Sequence, residues 1–194
     1  MTLPALSLDP VRSIDRRLPL RELPDERFDT IMAFWRSVRG DRAMPPCKAV
    51  RPEMLRGALG YVNLIDVLHE DAARPAFRFR LIGSEVAQAY GSDMTGRRVD
   101  EVQPSHYADI IQRQFEETVA ERAPCLHEVR FYMDWREHWL IRLSVPFGET
   151  DDAVERILTI SAFDPEISRF DIRDFTERLL KQEAFYARVT SVVE

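Results

Sequence analysis

The stretch FRFRLIGSEVAQAYGSDMTGRR, residues 77–98, decides the fold. Phe77, Phe79 and Leu81 alternate with Arg78 and Arg80, the period of a strand with one buried and one polar face. Gly83 breaks that strand, SEVAQAY reads as a short helix, and Gly91 and Gly96 follow in quick succession. These glycines could cradle a phosphate or shape the wall of a pocket. A dinucleotide fingerprint needs G-x-G-x-x-G at the first turn of a βαβ unit, and a P-loop needs G-x-x-x-x-G-K-[ST]. Neither spacing is present, and Gly96 is followed by Arg97. They are therefore read as helix terminators and tight-turn residues.

Working outward, YVNLIDVL precedes this stretch as a first strand, joined to it by the acidic turn HEDAARP. Downstream, PSHYADIIQRQFEETVAERAP carries Tyr107, Ile110, Ile111, Phe115, Thr118 and Val119 on one helical face, and Pro124 ends it. CLHEVRFYM, HWLIRLSVPF and RILTISAF then read as three strands joined by DWRE and GETDDAVE, an antiparallel meander. On the N-terminal side, Phe28, Ile31, Met32, Trp35 and Val38 form a helical stripe between a capping Asp25 and Gly40. A short helix is expected from Pro52 to Leu59. In the last stretch Ile172, Leu179, Tyr186 and Val193 recur every seven residues, a short heptad-like seam.

The expected organisation is an irregular arm over 1–24, a helical segment over 25–59, a central α+β domain over 60–164 and a terminal helix over 165–194. The fold class is α+β: a five-stranded antiparallel sheet with helices on one face, plus N- and C-terminal flanking helices. A chain of 194 residues suits one such domain. Its 45% hydrophobic and 31% charged residues are those of a soluble folded protein. The net charge of -6 argues against nucleic acid, whose binding draws on clustered Lys and Arg. No apolar run is long enough to span a membrane, and the N-terminus does not read as a signal peptide. Cys47 and Cys125 stand far apart in no CxxC spacing, so a reduced, cytoplasmic protein is expected. The four histidines make no metal motif.

The element order and the passage FRFRLIGSEVAQAYGSDMTGRRVDEV, with its YG and its TG before a basic residue, resemble a PAS domain over roughly residues 60–164. More narrowly, the chain is similar to short bacterial single-PAS proteins without a fused output domain. The resemblance implies a pocket between the concave face of the sheet and the helices, used to sense a small molecule or to contact protein. The flavin-binding branch carries a reactive cysteine in a short polar motif, which neither cysteine here has around it. A haem-ligating histidine would lie deeper in the long helix than His106, so no cofactor is named. No kinase, cyclase or helix-turn-helix follows the last strand, so signalling through a protein partner is expected.

Phe79, Leu81, Tyr90, Tyr107, Ile111 and Phe115 are expected between helix and sheet. His127, Phe131, Ile141 and Leu143 join them from the later strands. They either fill a core or line a pocket in which Tyr90, Tyr107 and His127 orient a ligand. Strand parity places Ser144 opposite Leu143, and it is expected to leave Arg142 on an outer face with Arg78, Arg80 and Arg130. The resulting reading is a non-enzymatic sensory or adaptor domain with no catalytic or metal-binding residues. Its partners would be a small ligand, a signalling protein and a second copy docked through the terminal helices. The alternative is a small cone-shaped α+β enzyme acting on a hydrophobic substrate. Its one candidate acid–base pair, His127 and Glu128, points to opposite faces of a strand.

Overall fold

The computed structural model describes residues 14–70, 74–90, 92–102, 105–133 and 136–164. The chain starts with β1 (Ile14–Leu18) and α1 (Glu26–Arg39). Short 3-10 turns at Cys47–Ala49, Pro52–Leu55 and Leu59–Tyr61 lead to β2 (Val62–Leu68) and β3 (Ala76–Ile82). Then come α2 (Ser84–Tyr90), a 3-10 turn at Val99–Glu101, and α3 (Ser105–Glu121). The meander β4 (Cys125–Met133), β5 (Arg136–Phe147) and β6 (Arg156–Phe163) completes one antiparallel sheet in the order β1-β4-β5-β6-β2-β3. The terminal segment 165–194 and its heptad-like seam lie outside the described residues.

The α+β class and the antiparallel sheet are as expected, with two differences. The sheet has six strands rather than five, because residues 14–18 of the expected irregular arm pair with β4, from Ile14 opposite Arg130 to Leu18 opposite Leu126. This edge strand is held by distant partners: Arg16 to Glu128, and Arg17 to Glu117 and Glu121 of α3. Helices also cover both faces. Phe115 of α3 meets Phe77 edge-on at 5.3 Å between ring centroids on the inner face. On the other face, Trp35 Nε1 of α1 donates to the Pro146 carbonyl at 2.8 Å, and Phe34 lies 6.4 Å from Phe147. Leu143, Val145 and Phe147 of β5 share that second face and are fully buried.

α1 is closed at both ends as its sequence requires. Asp25 accepts from the Arg27 backbone N–H at 2.9 Å, and Gly40 ends the helix at φ 59°. The hydrogen bonds from the Arg27 guanidinium lead the causes that hold the Asp25 carboxyl below its usual range. Asp25→Ala is expected to lower stability at neutral pH by about 1 kcal/mol. Because the folded pKa is depressed, the contribution is present above the unfolded value of about 3.9 and is lost as pH falls through the folded one. Urea denaturation of both proteins at neutral and at acid pH checks this: the two should converge at the acid end.

Gly83 is where β3 turns into α2. A Cβ there would lie 2.4 Å from the Gly60 carbonyl oxygen and 2.7 Å from that of Val62. Gly96 has φ +86° and donates its N–H to the Phe79 carbonyl at 2.7 Å, while Phe79 N–H donates to Arg97 at 2.9 Å. The turn at Gly96 thus folds back along β3. Gly91 lies outside the described residues.

Candidate functional site

The register of the sheet brings two rows of polar side chains onto its inner face, under α3. His127, Arg142 and Ser161 lie side by side on β4, β5 and β6. Cys125, Ser144, Thr159 and Asn63 form the neighbouring row. All seven are buried. Ser144 Oγ and Thr159 Oγ1 have no hydrogen-bond partner among the described residues, an uncommon state for fully buried hydroxyls.

Arg142 is the centre of the first row. It is 3% exposed, and its guanidinium donates to Gln114 Oε1 at 2.7 Å and to the Tyr107 hydroxyl at 2.8 Å, both on α3. Its Cζ stands 5.9 Å from the ring centroids of Tyr107 and Phe115. Gln114 in turn donates to Asp15 of β1 at 2.8 Å. One buried cation therefore ties the central strand to the long helix and, through Gln114, to the edge strand. Burying such a charge is tolerated only where hydrogen bonds replace its hydration.

Arg142 also lines a cavity of about 20 Å³, walled by Phe79, Ile82, Val86, Ile111 and Phe115, with Asn63 and Ser92 as further polar groups. That is room for about one water molecule. Of the residues expected at a pocket, Phe79, Ile111 and Phe115 stand at this cavity, and Tyr107 reaches it through Arg142. His127 is on the same face, 3% exposed, but its Nε2 pairs with Glu117 Oε2 at 2.8 Å toward the end of α3. The side chains of Tyr90 and Phe131 lie outside the described residues.

Three expected pocket residues face elsewhere. Leu81 is 48% exposed: the register shifts between Leu64 and Ile65, pairing Leu64 with Leu81 but Ile65 with Phe79. This bulge at Arg80 turns Leu81 outward and Ile82 inward. Ile141 and Leu143 lie on the α1 face, opposite Arg142. Arg142 itself had been expected outside. In HWLIRLSVPF the more apolar alternate set looked like the core face, whereas both faces are covered, so apolarity could not tell them apart. The remaining arginines do occupy the outer face: Asp66 has Arg78, Arg80 and Arg156 within 3.4–3.5 Å, and Arg130 pairs with Glu128 and Glu137.

At the end of α3, burial pushes the Cys125 thiol up to about 11. Burial works against ionisation of Glu117, but the hydrogen bond with His127 and the charge of Arg17 hold its carboxyl below the usual range. Burial likewise opposes ionisation of Glu128, but hydrogen bonds from Arg130 and Arg16 hold its carboxyl below the usual range.

Among the described residues no helix is long and apolar enough to cross a membrane. No curated protein matches the chain. A solved structure described as "Structure of an RNA-binding Light-Oxygen-Voltage Receptor" aligns with 93% of this chain at 12% identity and a TM-score of 0.39. This chain spans 45% of that protein, and at that similarity the match says nothing of what this chain binds. Residues 25–161, well over half of the sequence, match the family described as PAS domain. With its helix-bearing excursion between β3 and the three-stranded meander, the chain belongs to the PAS domain family, a family of sensory and signalling domains.

Proposed function

We propose that this chain is a non-enzymatic sensory domain that binds a small ligand bearing an anionic or strongly accepting oxygen at Arg142 and passes the change to a signalling protein by contact. The observation that carries the reading is the buried guanidinium at the wall of the inner cavity, hydrogen-bonded to α3 through Gln114 and Tyr107. A ligand carboxylate offers the guanidinium stronger, charge-assisted hydrogen bonds than a neutral amide and a phenol do. Competition for Arg142 would loosen the two bonds that join α3 to β5 and shift the population toward an arrangement with α3 displaced. The shift can be no larger than the ligand's preference for that arrangement. The homodimer we propose uses the C-terminal sequence, because the apolar face of α1 is packed on its own sheet.

The small cavity favours a second reading, in which the core is filled and the domain acts by protein contact alone. The cone-type enzyme has less to support it. His127 pairs with Glu117 on the inner face, while Glu128 pairs with Arg16 and Arg130 on the outer one.

A thermal-shift screen of small organic acids and uncharged metabolites separates these readings. At least one acid is expected to stabilise the wild type, by about 2.7 kcal/mol at a hundredfold excess over Kd. The effect should vanish in Arg142→Met, which is itself expected to lose about 1–3 kcal/mol because Gln114 Oε1 and the Tyr107 hydroxyl lose a buried donor, so each protein's shift is read against its own ligand-free baseline. A screen with no stabilising acid, or with hits that Arg142→Met retains, would sink the ligand reading and leave the protein-contact one.

A further inference from the structure

The end of α3 and the start of β4 converge through the three-residue connection 122–124. Glu117 and Glu121 are one helical turn apart, so both face the sheet edge, and Cys125 and His127 are two apart on the strand, so both face the helix. The ligand atoms of Glu117, Glu121 and Cys125 all lie within 4.8 Å of one another, with Cys125 Sγ 3.8 Å from Glu121 Oε2. His127 adjoins them, its Nε2 2.8 Å from Glu117 Oε2. We propose that Glu117, Glu121, Cys125 and His127 form a binding site for a divalent transition metal, with zinc the ion of best-matching chemistry.

Two carboxylates, a thiolate and an imidazole are a donor set that suits a borderline ion and not magnesium or calcium, which take oxygen ligands. Zinc bonds of about 2.0–2.3 Å place tetrahedral ligands closer together than the 4.8 Å that spans Glu117, Glu121 and Cys125, and His127 stands outside that trio, so the side chains must draw inward as the ion binds. His127 supplies an observation independent of the acidic pair. It is 3% exposed, and its Nε2 is turned toward the cluster at Glu117.

Arg17 of β1 presently supplies the positive charge, bonded to Glu117 and, at 2.9 Å, to Glu121 Oε2. The site is therefore one of exchange: zinc enters as the guanidinium leaves, and the Cys125 thiol gives its proton to solvent as its sulfur binds. This predicts a result that a simple ion-pair cluster does not, namely that removing Arg17 tightens metal binding.

The test uses the full chain stripped with a chelator, titrated with Zn²⁺ alone by calorimetry and with Co²⁺ by absorption spectroscopy. One ion per chain is expected, with a thiolate-to-cobalt charge-transfer band. Cys125→Ser should abolish that band, and it and His127→Gln should each weaken zinc at least about tenfold. Arg17→Met, which leaves all four ligands in place, should bind zinc several-fold more tightly than the wild type. Absence of zinc binding overturns the proposal, as does binding that survives both ligand substitutions. If the ligand variants do not fold, unchanged or weakened affinity in Arg17→Met overturns it.

Discussion

Gly83→Ala is expected to destabilise the domain by about 3 kcal/mol, at the upper end of what overpacking costs. The added methyl would stand 2.4 Å from the Gly60 carbonyl oxygen, 2.7 Å from the Gly60 carbonyl carbon and 2.7 Å from the Val62 oxygen. All three are backbone atoms, so no side chain can rotate aside. The Gly83 N–H is also held, at 3.2 Å, by the buried Asn63 side chain, which fixes the distance between the end of β3 and the start of β2. Relief must come from moving the β3–α2 junction, and with it the Val86 wall of the cavity. Gly96→Ala is the control: at φ +86° but with no atom within 4 Å, it should lose only about 1–2 kcal/mol from its backbone conformation. Chemical denaturation of the two variants checks the order. A Gly83→Ala protein within about 1 kcal/mol of the wild type would show that the close approach of these backbones is wrong.

Phe115→Ala should cost about 3–5 kcal/mol, the range for emptying a buried phenylalanine site. The ring is 1% exposed, meets Phe77 at an interplanar angle of 72°, and lies under the Arg142 guanidinium. Its loss removes the edge-on contact with Phe77 that joins α3 to β3 and enlarges the cavity beside Arg142. The expected guanidinium-chloride midpoint is well below that of Ile111→Val, a milder change on the same helix face that should cost about 0.5–1.5 kcal/mol. Equal midpoints for the two variants would mean that α3 does not lie on the sheet through Phe115.

Much of this architecture could be read along the chain because its signals are local. Asp25 and Gly40 bracket α1, the stripe from Tyr107 to Val119 marks α3, and short polar turns join the last three strands. What could not be read depends on distant partners. Nothing in IDRRL announces a strand, since β1 exists by pairing with residues more than a hundred positions away. Leu81 kept its alternation in the sequence and lost it to a one-residue bulge against β2. The outward expectation for Arg142 fails because the apolar set of β5, Leu143, Val145 and Phe147, packs on the α1 side and leaves the more polar set buried under α3. The same holds for the group at the end of α3. Spacings of four, four and two residues from Glu117 to His127 match no recognised ligand motif, and only the turn at 122–124 folds the helix half onto the strand half.

The proposal that this domain senses a ligand rests on Arg142 and the space it faces. A crystal structure of the wild-type protein grown with the most stabilising acid from the screen tests that claim most directly. The account predicts an acid oxygen within about 3 Å of the Arg142 guanidinium, with Gln114 or Tyr107 released and the cavity wall at Val86 and the neighbouring Met94, which also lines it, moved outward to admit it. An acid seated instead in the separate surface cleft that Arg74 and Arg98 line with Glu70 and Asp100, with the Arg142 hydrogen bonds to Gln114 and Tyr107 intact and the inner cavity no larger than one water, would contradict it.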